Sequence, residues 1–542
     1  MLEGFEHSRR WVVFCLLIAC HVYFFQIYPL FVSPNELSRL LLTSAIVDDH
    51  SISVDHAMKR FGNPQAKAFF NGHYYSDKAI GASLLGIPAF FLLRIVERLT
   101  GLQVSAPMAI YWVRVFTITI PSILFLSVLS KFWRKLKPDS KYIPHFLFLY
   151  QFGTIVFTYS SLFVSHYLLG MFLFGSVLFL NECRSQLDRP IKCILLSGGF
   201  AGASLLMEFP AAVPVAVICL FAVFTIRNIR EFSYFALAIV PFIVLILGYN
   251  YLIFGTPWDV TYKHMTHSEH VLHHAEGLVG IGLPKLEALH GLLFSRHHGL
   301  FFISPFLLLA VGGFYRILAN EPWTLLARLF ACIILATILI YSAFYNWVAG
   351  WNFGPRYLTS ILPFLSTAAF YFGDELMQKS FLHRTAVVGA GIWSVLCVTI
   401  GTITFPFPPD NLLDPVFFLN FPLLFSGATG ENLAGNPWFF FVLLLCTLLV
   451  MTVPERIKHN PSQALRAMAP FGFASMMFLL AFVSRPAPSP MEYYARGSVY
   501  LYLGRYEHSL FEMQLALDAG PDSNTRALIQ RRISDISRVM NR

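Results

Sequence analysis

Long apolar runs, seldom interrupted by charge, restrict the folds open to this chain more than any single motif does. Fourteen runs approach the length needed to cross about 30 Å of hydrocarbon. They are 11–32, 79–96, 109–130, 142–159, 162–181, 193–207, 211–226, 232–253, 299–315, 325–345, 357–373, 385–404, 437–453 and 469–484. A backbone in lipid must satisfy its own hydrogen bonds, so each run is expected to be helical. With 56% hydrophobic and 13% charged residues in 542, the chain is too apolar for an ordinary water-soluble globule. An all-α, polytopic membrane protein is the expected class.

Basic residues set the orientation. The first run follows Arg9 and Arg10 and has no small-residue cleavage site, so it reads as an anchor with a cytoplasmic N-terminus. Lys and Arg then crowd into 131–141, 183–192, 227–231, 316–328, 374–384 and 454–466, which the positive-inside rule places in the cytoplasm. The sparser loops 33–78, 254–298, 346–356 and 405–436 fall outside, together with the tail from Arg485. Parity demands an odd number of crossings between 33–78 and 131–141, where two runs lie. Run 79–96 carries Gly81, Gly86, Pro88 and Arg94, so it reads as re-entrant or fused to its neighbour, leaving about 13 crossings. None of the eight cysteines falls in an outer loop and there is no CxxC pair, which argues against disulfides and cysteine-bound metal. The net charge of +9 follows the topology and forms no nucleic-acid stripe.

Two parts are expected: a membrane body, 1–484, and a small soluble helical tail, 485–542. The first outer loop opens "SPNELSRLLLTSAIVDD", whose apolar residues recur at helical spacing after Ser33 and Pro34, as in a helix lying on the membrane surface. The tail begins with the linker "RPAPSP" and continues as two or three amphipathic helices. Its stretch "LGRYEHSLFEMQLALDAGP" weakly resembles half a tetratricopeptide repeat.

Polar residues suited to chemistry gather on the outer face or its edge. Glu36 and Arg39 follow the first run, and Tyr74, Tyr75, Asp77 and Lys78 close the first loop. His166 lies in "LFVSHYLL", Glu208 in "LMEFP" and Tyr262 at the end of "FGTPWDVTY". Arg296 and His297 stand in "SRHHG", and Trp347, Trp351, Arg356 and Tyr357 in "NWVAGWNFGPRYL". Such a set fits an outward cavity holding an anionic, lipid-linked headgroup. Lys78 and Arg356 would bind a phosphate, one as a point charge and the other as a planar fork. Glu36 or Asp77 would take a proton from an attacking hydroxyl. Arg39, His166, Glu208, Tyr262, the two Arg296–His297 residues and the aromatics would complete the substrate site. The plainer reading of Lys78 and Arg356 is interfacial anchoring.

The segments "PNELSRLLLTSAIV", "GHYYSDKAIGASLLGIP", "SRHHGLFFISPFLLL" and "WNFGPRYLTSILPFL" resemble the bacterial GT-C glycosyltransferases that use polyprenyl-phosphate donors, the protein mannosyltransferase-like and aminoarabinose transferase-like enzymes. The resemblance spans roughly 10–480 and implies a GT-C fold in a bacterial inner membrane. It also implies inverting transfer of a sugar from a polyprenyl-phosphate donor to a glycan, lipid or protein acceptor on the periplasmic side. By the family pattern Glu36 matches the catalytic acid, Lys78 the phosphate ligand and Arg356 a basic residue of a later outer loop. Three positions depart from it: Asn35 replaces the first acid of a pair, Ala79-Ile80 replaces Pro-Pro, and His166 stands where an acid is common. A ligase using a pyrophosphate carrier and a lipid-linked sugar flippase are the alternatives. The first would need more outer arginines, and the second an internal repeat and ionisable groups deep in the spans.

One motif lies outside the resemblance. In "HMTHSEHVLHH", His264, His267, His270 and His274 share a helical face, a pattern that suits a divalent transition metal as well as a solvated or gating segment.

Overall fold

A computed structural model describes residue 21 and residues 27–185, 191–226, 228–266, 280–319, 323–427, 438, 441–442 and 461–540. Helix dominates it, as a chain that must bury its own backbone groups in lipid requires. Among the described residues five helices have the length and apolar character to cross a membrane: Ala106–Leu136, His166–Arg184, Ile229–Phe254, Thr324–Ala343 and Phe381–Thr404. Shorter apolar helices lie between them, including Ile191–Met207, Phe209–Thr225, Pro305–Leu318 and Met468–Val483.

Close packing between these helices relies on small residues. Gly198 and Gly202, one turn apart on Ile191–Met207, face Ile229–Phe254. A Cβ at Gly198 would strike the Phe235 carbonyl and lie 2.9 Å from the Ala238 methyl, and one at Gly202 would lie 3.1 Å from the Ile239 Cα. Backbones in lipid approach closely through such small-residue spacing. Gly198→Val is therefore expected to destabilise the fold by about 1–3 kcal/mol. Thermal unfolding in detergent would show this as a lowered midpoint, and an unchanged midpoint would mean the two helices part at no cost.

Run 79–96 lies in the helix Gly81–Thr100, which is not among the five candidate spans. Arg94 and Glu97, on one face, explain this. Arg94 donates to Asp48 at 2.6 Å and also pairs with Glu97, while Arg60 holds Glu97 at 2.8 Å and Asp48 at 3.5 Å. The four charges tie this helix to the first loop, so Ala106–Leu136 is left as the long apolar helix between that loop and the basic stretch ending at Lys141. Ala106–Leu136 is continuous through a π-helical segment, Val115–Thr119.

The helix expected after Ser33 forms as Pro34–Asp48, with proline in its first turn where a missing N–H costs nothing. Thr43 donates to the Ser83 carbonyl at 3.0 Å, and Ser83 returns a bond to the Arg39 carbonyl at 3.1 Å, joining it to Gly81–Thr100. A two-stranded antiparallel hairpin, Ala68–Phe70 with His73–Tyr75, ends the loop. Its turn residues Asn71 and Gly72 have φ of 48° and 86°, the left-handed pair that a tight hairpin needs.

The tail forms three helices, Pro490–Tyr502, Tyr506–Asp518 and Ser523–Met540. Ser489 and Glu492 make a reciprocal capping box at the start of the first. This helix docks on the body: Glu492 accepts from the Leu413 amide at 3.0 Å, Arg496 donates to the Phe418 carbonyl at 2.9 Å, and the Leu30 amide donates to the Tyr502 carbonyl at 3.1 Å.

Candidate active site

Helix Pro34–Asp48 places Glu36 and Ser38-Arg39 against different partners. Ser38 donates to Asp77 at 3.1 Å, and Lys78 Nζ holds the other oxygen of Asp77 at 2.8 Å. Asp77 is fully buried. Burial lowers the Lys78 ammonium below the usual lysine range, and Asp77 opposes that shift.

Arg39 runs the other way. Its guanidinium donates to Ser165 at 2.8 Å, to Glu208 at 3.2 Å and to the Asn35 carbonyl at 2.9 Å. Ser165 also donates to Glu208, and His166 Nδ1 lies 3.6 Å from the same carboxylate. The His166 ring meets Tyr357 edge-on at 5.4 Å, and Tyr357 stacks flat on Tyr341 at 4.4 Å. Arg356 lies over the Tyr357 ring, and Tyr262 packs edge-on against Phe209, beside Glu208. Arg39, Lys78 and Arg356 thus face Asp77 and Glu208, three cations against two anions. Arg356 has no carboxylate within 4 Å among the described residues, and the Nε atoms of Arg39 and Arg356 and the Nδ1 of His166 are buried without a hydrogen-bond partner. A buried polar group left unpaired is costly, so a polar ligand is the natural complement of this surface.

Glu36 occupies the adjoining cleft. Tyr28, Phe31, Ser33, Tyr111, Arg114 and Phe407 help to line it. The Phe163 amide donates to Glu36 at 2.6 Å, so segment 163–166 connects the two halves, holding Glu36 at one end and Glu208 at the other. Burial pushes the Glu36 carboxyl up to about 7, although the Phe163 amide, Arg114 and Arg39 pull it down. A carboxyl poised near neutral pH is matched to taking up a proton.

The remaining residues named from sequence lie apart from this cluster or at its rim. Tyr74 packs on Phe69 in the hairpin, under Lys67, and Tyr75 is buried with Ala68 and Ile253. Arg296 donates to Asp414 at 2.8 Å and to Ser484 at 2.7 Å, which makes it a tie between loops. His297 stacks on the buried His298 at 3.8 Å, and Trp347 fills the space over Gly291. Trp351 stacks on Phe31 and meets the tail residue Tyr502. His264 is bound to Asp259 at 2.8 Å with its ring on Phe254, while His267, His270 and His274 lie outside the described residues. Among the described residues no three His, Cys, Asp or Glu side chains come together as a metal site, and His264 is already engaged.

Sequence reasoning did not single out Ser38, Arg114, Ser165, the Phe163 amide or Tyr341. Arg114 had a signal, since an ionisable residue inside an apolar run is a functional candidate. The others show no pattern of their own.

No family model matches the chain, and no curated protein matches it by sequence. Among solved structures it is similar to ArnT from Cupriavidus metallidurans, whose crystal structure is bound to undecaprenyl phosphate. The likeness covers 88% of this chain and 78% of that one, at 13% identity and a TM-score of 0.50. The arrangement of helices therefore identifies the chain as an all-α, polytopic membrane protein with the GT-C fold.

Proposed function

We propose that the protein transfers a sugar from a polyprenyl-phosphate donor to an acceptor hydroxyl on the outer side of a bacterial inner membrane. The observation that carries this reading is the group of buried Arg39 with half-buried Lys78 and Arg356, one cation in excess of the carboxylates Asp77 and Glu208, next to a carboxyl pushed up to about 7. The similarity to a fold solved with a lipid phosphate supports it. The basic loops agree with a cytoplasmic N-terminus and an outer tail.

Lys78 and Arg356 hold the donor phosphate, with Arg39 behind them. The acceptor oxygen attacks the anomeric carbon, the bond from that carbon to the phosphate oxygen breaks, and the electron pair stays on the phosphate beside these cations. Glu36 receives the acceptor proton, and the anomeric configuration inverts. Asp77, fully buried between Ser38 and Lys78, is suited to orienting Lys78 rather than to acting as base.

A panel of polyprenyl-phosphate sugars offered to purified protein in nanodiscs tests the reading. Wild type should bind undecaprenyl phosphate and release carrier phosphate from one donor in the panel, as its sugar passes to an added acceptor hydroxyl or, more slowly, to water. Lys78→Met should weaken carrier binding about 10- to 100-fold, the loss of a charge-assisted bond. A wild-type protein that binds the carrier yet never cleaves a donor would point to lipid movement and not to transfer.

A further inference from the structure

One tyrosine of the membrane body has a buried hydroxyl that the mechanism above does not use. At the outer end of helix Ile229–Phe254 the sequence reads "LILGYNYLIF", and its residues divide between two faces at helical spacing. Leu245, Tyr251 and Leu252 are exposed, as residues against lipid would be, whereas Ile246, Tyr249, Asn250 and Ile253 pack inward. Asn250 is engaged locally, donating to the Pro257 carbonyl at 3.2 Å. Tyr249 lies against the cluster of Ala68, Tyr75 and Ile253, and its hydroxyl is buried without a hydrogen-bond partner among the described residues. Tyr75 precedes Asp77 by two residues, and both lie within electrostatic reach of that hydroxyl. Ser38 and Lys78 fill two of the roughly four acceptor positions on Asp77. A buried hydroxyl left unpaired weakens the fold, so its presence beside the donor site calls for a partner from the ligand.

We propose that Tyr249 and Asp77 form the subsite for one hydroxyl of the donor sugar, the phenol donating to the sugar oxygen and the sugar O–H donating to the carboxylate. The proposal rests on the transfer reading above, which places the donor phosphate on Lys78 and Arg356. Charge selects the occupant. A phosphate oxygen at this place would be repelled by Asp77, and the cations draw it elsewhere. An ammonium, as on an amino sugar, would add a fourth cation to Arg39, Lys78 and Arg356, which already act on one another. A neutral hydroxyl meets neither repulsion, and it can accept from the phenol while donating to the carboxylate. Discrimination follows, because a sugar that lacks this hydroxyl leaves Tyr249 unpaired. Tyr249 is thus a specificity determinant, carried on a span whose other face meets lipid.

Titration of the full-length protein in nanodiscs with undecaprenyl phosphate, and with undecaprenyl-phosphate glucose, mannose, galactose and galactosamine, tests this without any acceptor present. Wild type should bind the bare carrier and at least one of the neutral donors. Tyr249→Phe should weaken binding of that donor about three- to tenfold, the loss of one neutral hydrogen bond. Binding of the bare carrier should stay within about twofold of wild type. The same substitution removes an unpaired hydroxyl from the ligand-free protein, so its thermal midpoint should equal or exceed that of wild type. The proposal is overturned if Tyr249→Phe binds every neutral donor as well as wild type, if it loses carrier and donor to the same extent, or if only the galactosamine donor depends on Tyr249. A lowered midpoint would also overturn it, since the hydroxyl would then be bonded within the fold. So would a wild type that binds the carrier and no neutral donor. A wild type that binds neither carrier nor donor would remove the transfer reading itself, and this one with it.

Discussion

Glu36→Gln is expected to lower the turnover number about 10²- to 10⁴-fold while leaving carrier-lipid binding close to wild type, because the amide keeps the shape of the side chain and cannot accept the proton. The pH profile makes the assignment specific. Wild-type turnover should rise through pH 7 as the carboxyl, held near that value by burial, loses its proton. The residual activity of the variant should lack that limb. The same carboxyl has a stability signature. Unfolded, it releases its proton near the ordinary value of 4.5, and folded near 7. Between those values the folded state binds more protons, so stability falls as pH rises across the window, and the full cost is present above 7. At pH 8 Glu36→Gln should therefore be more stable than wild type, by about 1–3 kcal/mol, and near pH 4 the difference should vanish. A variant that is slower but has an unshifted pH profile would rule out Glu36 as the base.

The largest effect on stability is expected from Arg39→Met. Arg39 is 2% exposed and Glu208 5%. Removing the guanidinium leaves a buried carboxylate with Ser165 and the His166 ring as its remaining close partners. Breaking a buried pair from one side costs about 3–5 kcal/mol, most of it the penalty of the stranded charge. The double variant Arg39→Met/Glu208→Gln should recover a large part of the loss, because the pair is coupled and the two effects do not add. Denaturant midpoints of wild type, both single variants and the double variant measure the coupling. A cost under about 1 kcal/mol for Arg39→Met would place the pair in a solvated setting.

The class of fold was legible in the sequence because lipid imposes one requirement on every span, and long apolar runs state it openly. The start of Pro34–Asp48 was legible for a local reason, Ser33 and Pro34 ahead of helical spacing. Run 79–96 was harder. Its apolar residues suggested membrane, yet Arg94 and Glu97 find Asp48 and Arg60, which lie far back in the chain. Spacing alone cannot reveal such pairing. Lys78 beside Asp77 could be read from adjacency, whereas Arg39 meets Glu208 across 169 residues. Arg296 shows the reverse: a basic residue in a loop expected to be outside resembles a phosphate ligand until its partner Asp414 is known. Which of two cations binds a ligand and which binds a carboxylate is decided by long-range packing, and no short motif encodes it.

The bond between Leu30 and Tyr502 also bears on how the protein is made. Leu30 is synthesised early, and Tyr502, whose ring packs on Phe31 and Trp351, follows the described spans. Every helix between them must be inserted before the two can meet. A nascent chain halted before residue 502 would settle its spans in the bilayer and still lack the ring that packs on Phe31 and Trp351. Docking of the tail on Leu30 is thus a late step of assembly, made only after the spans between them.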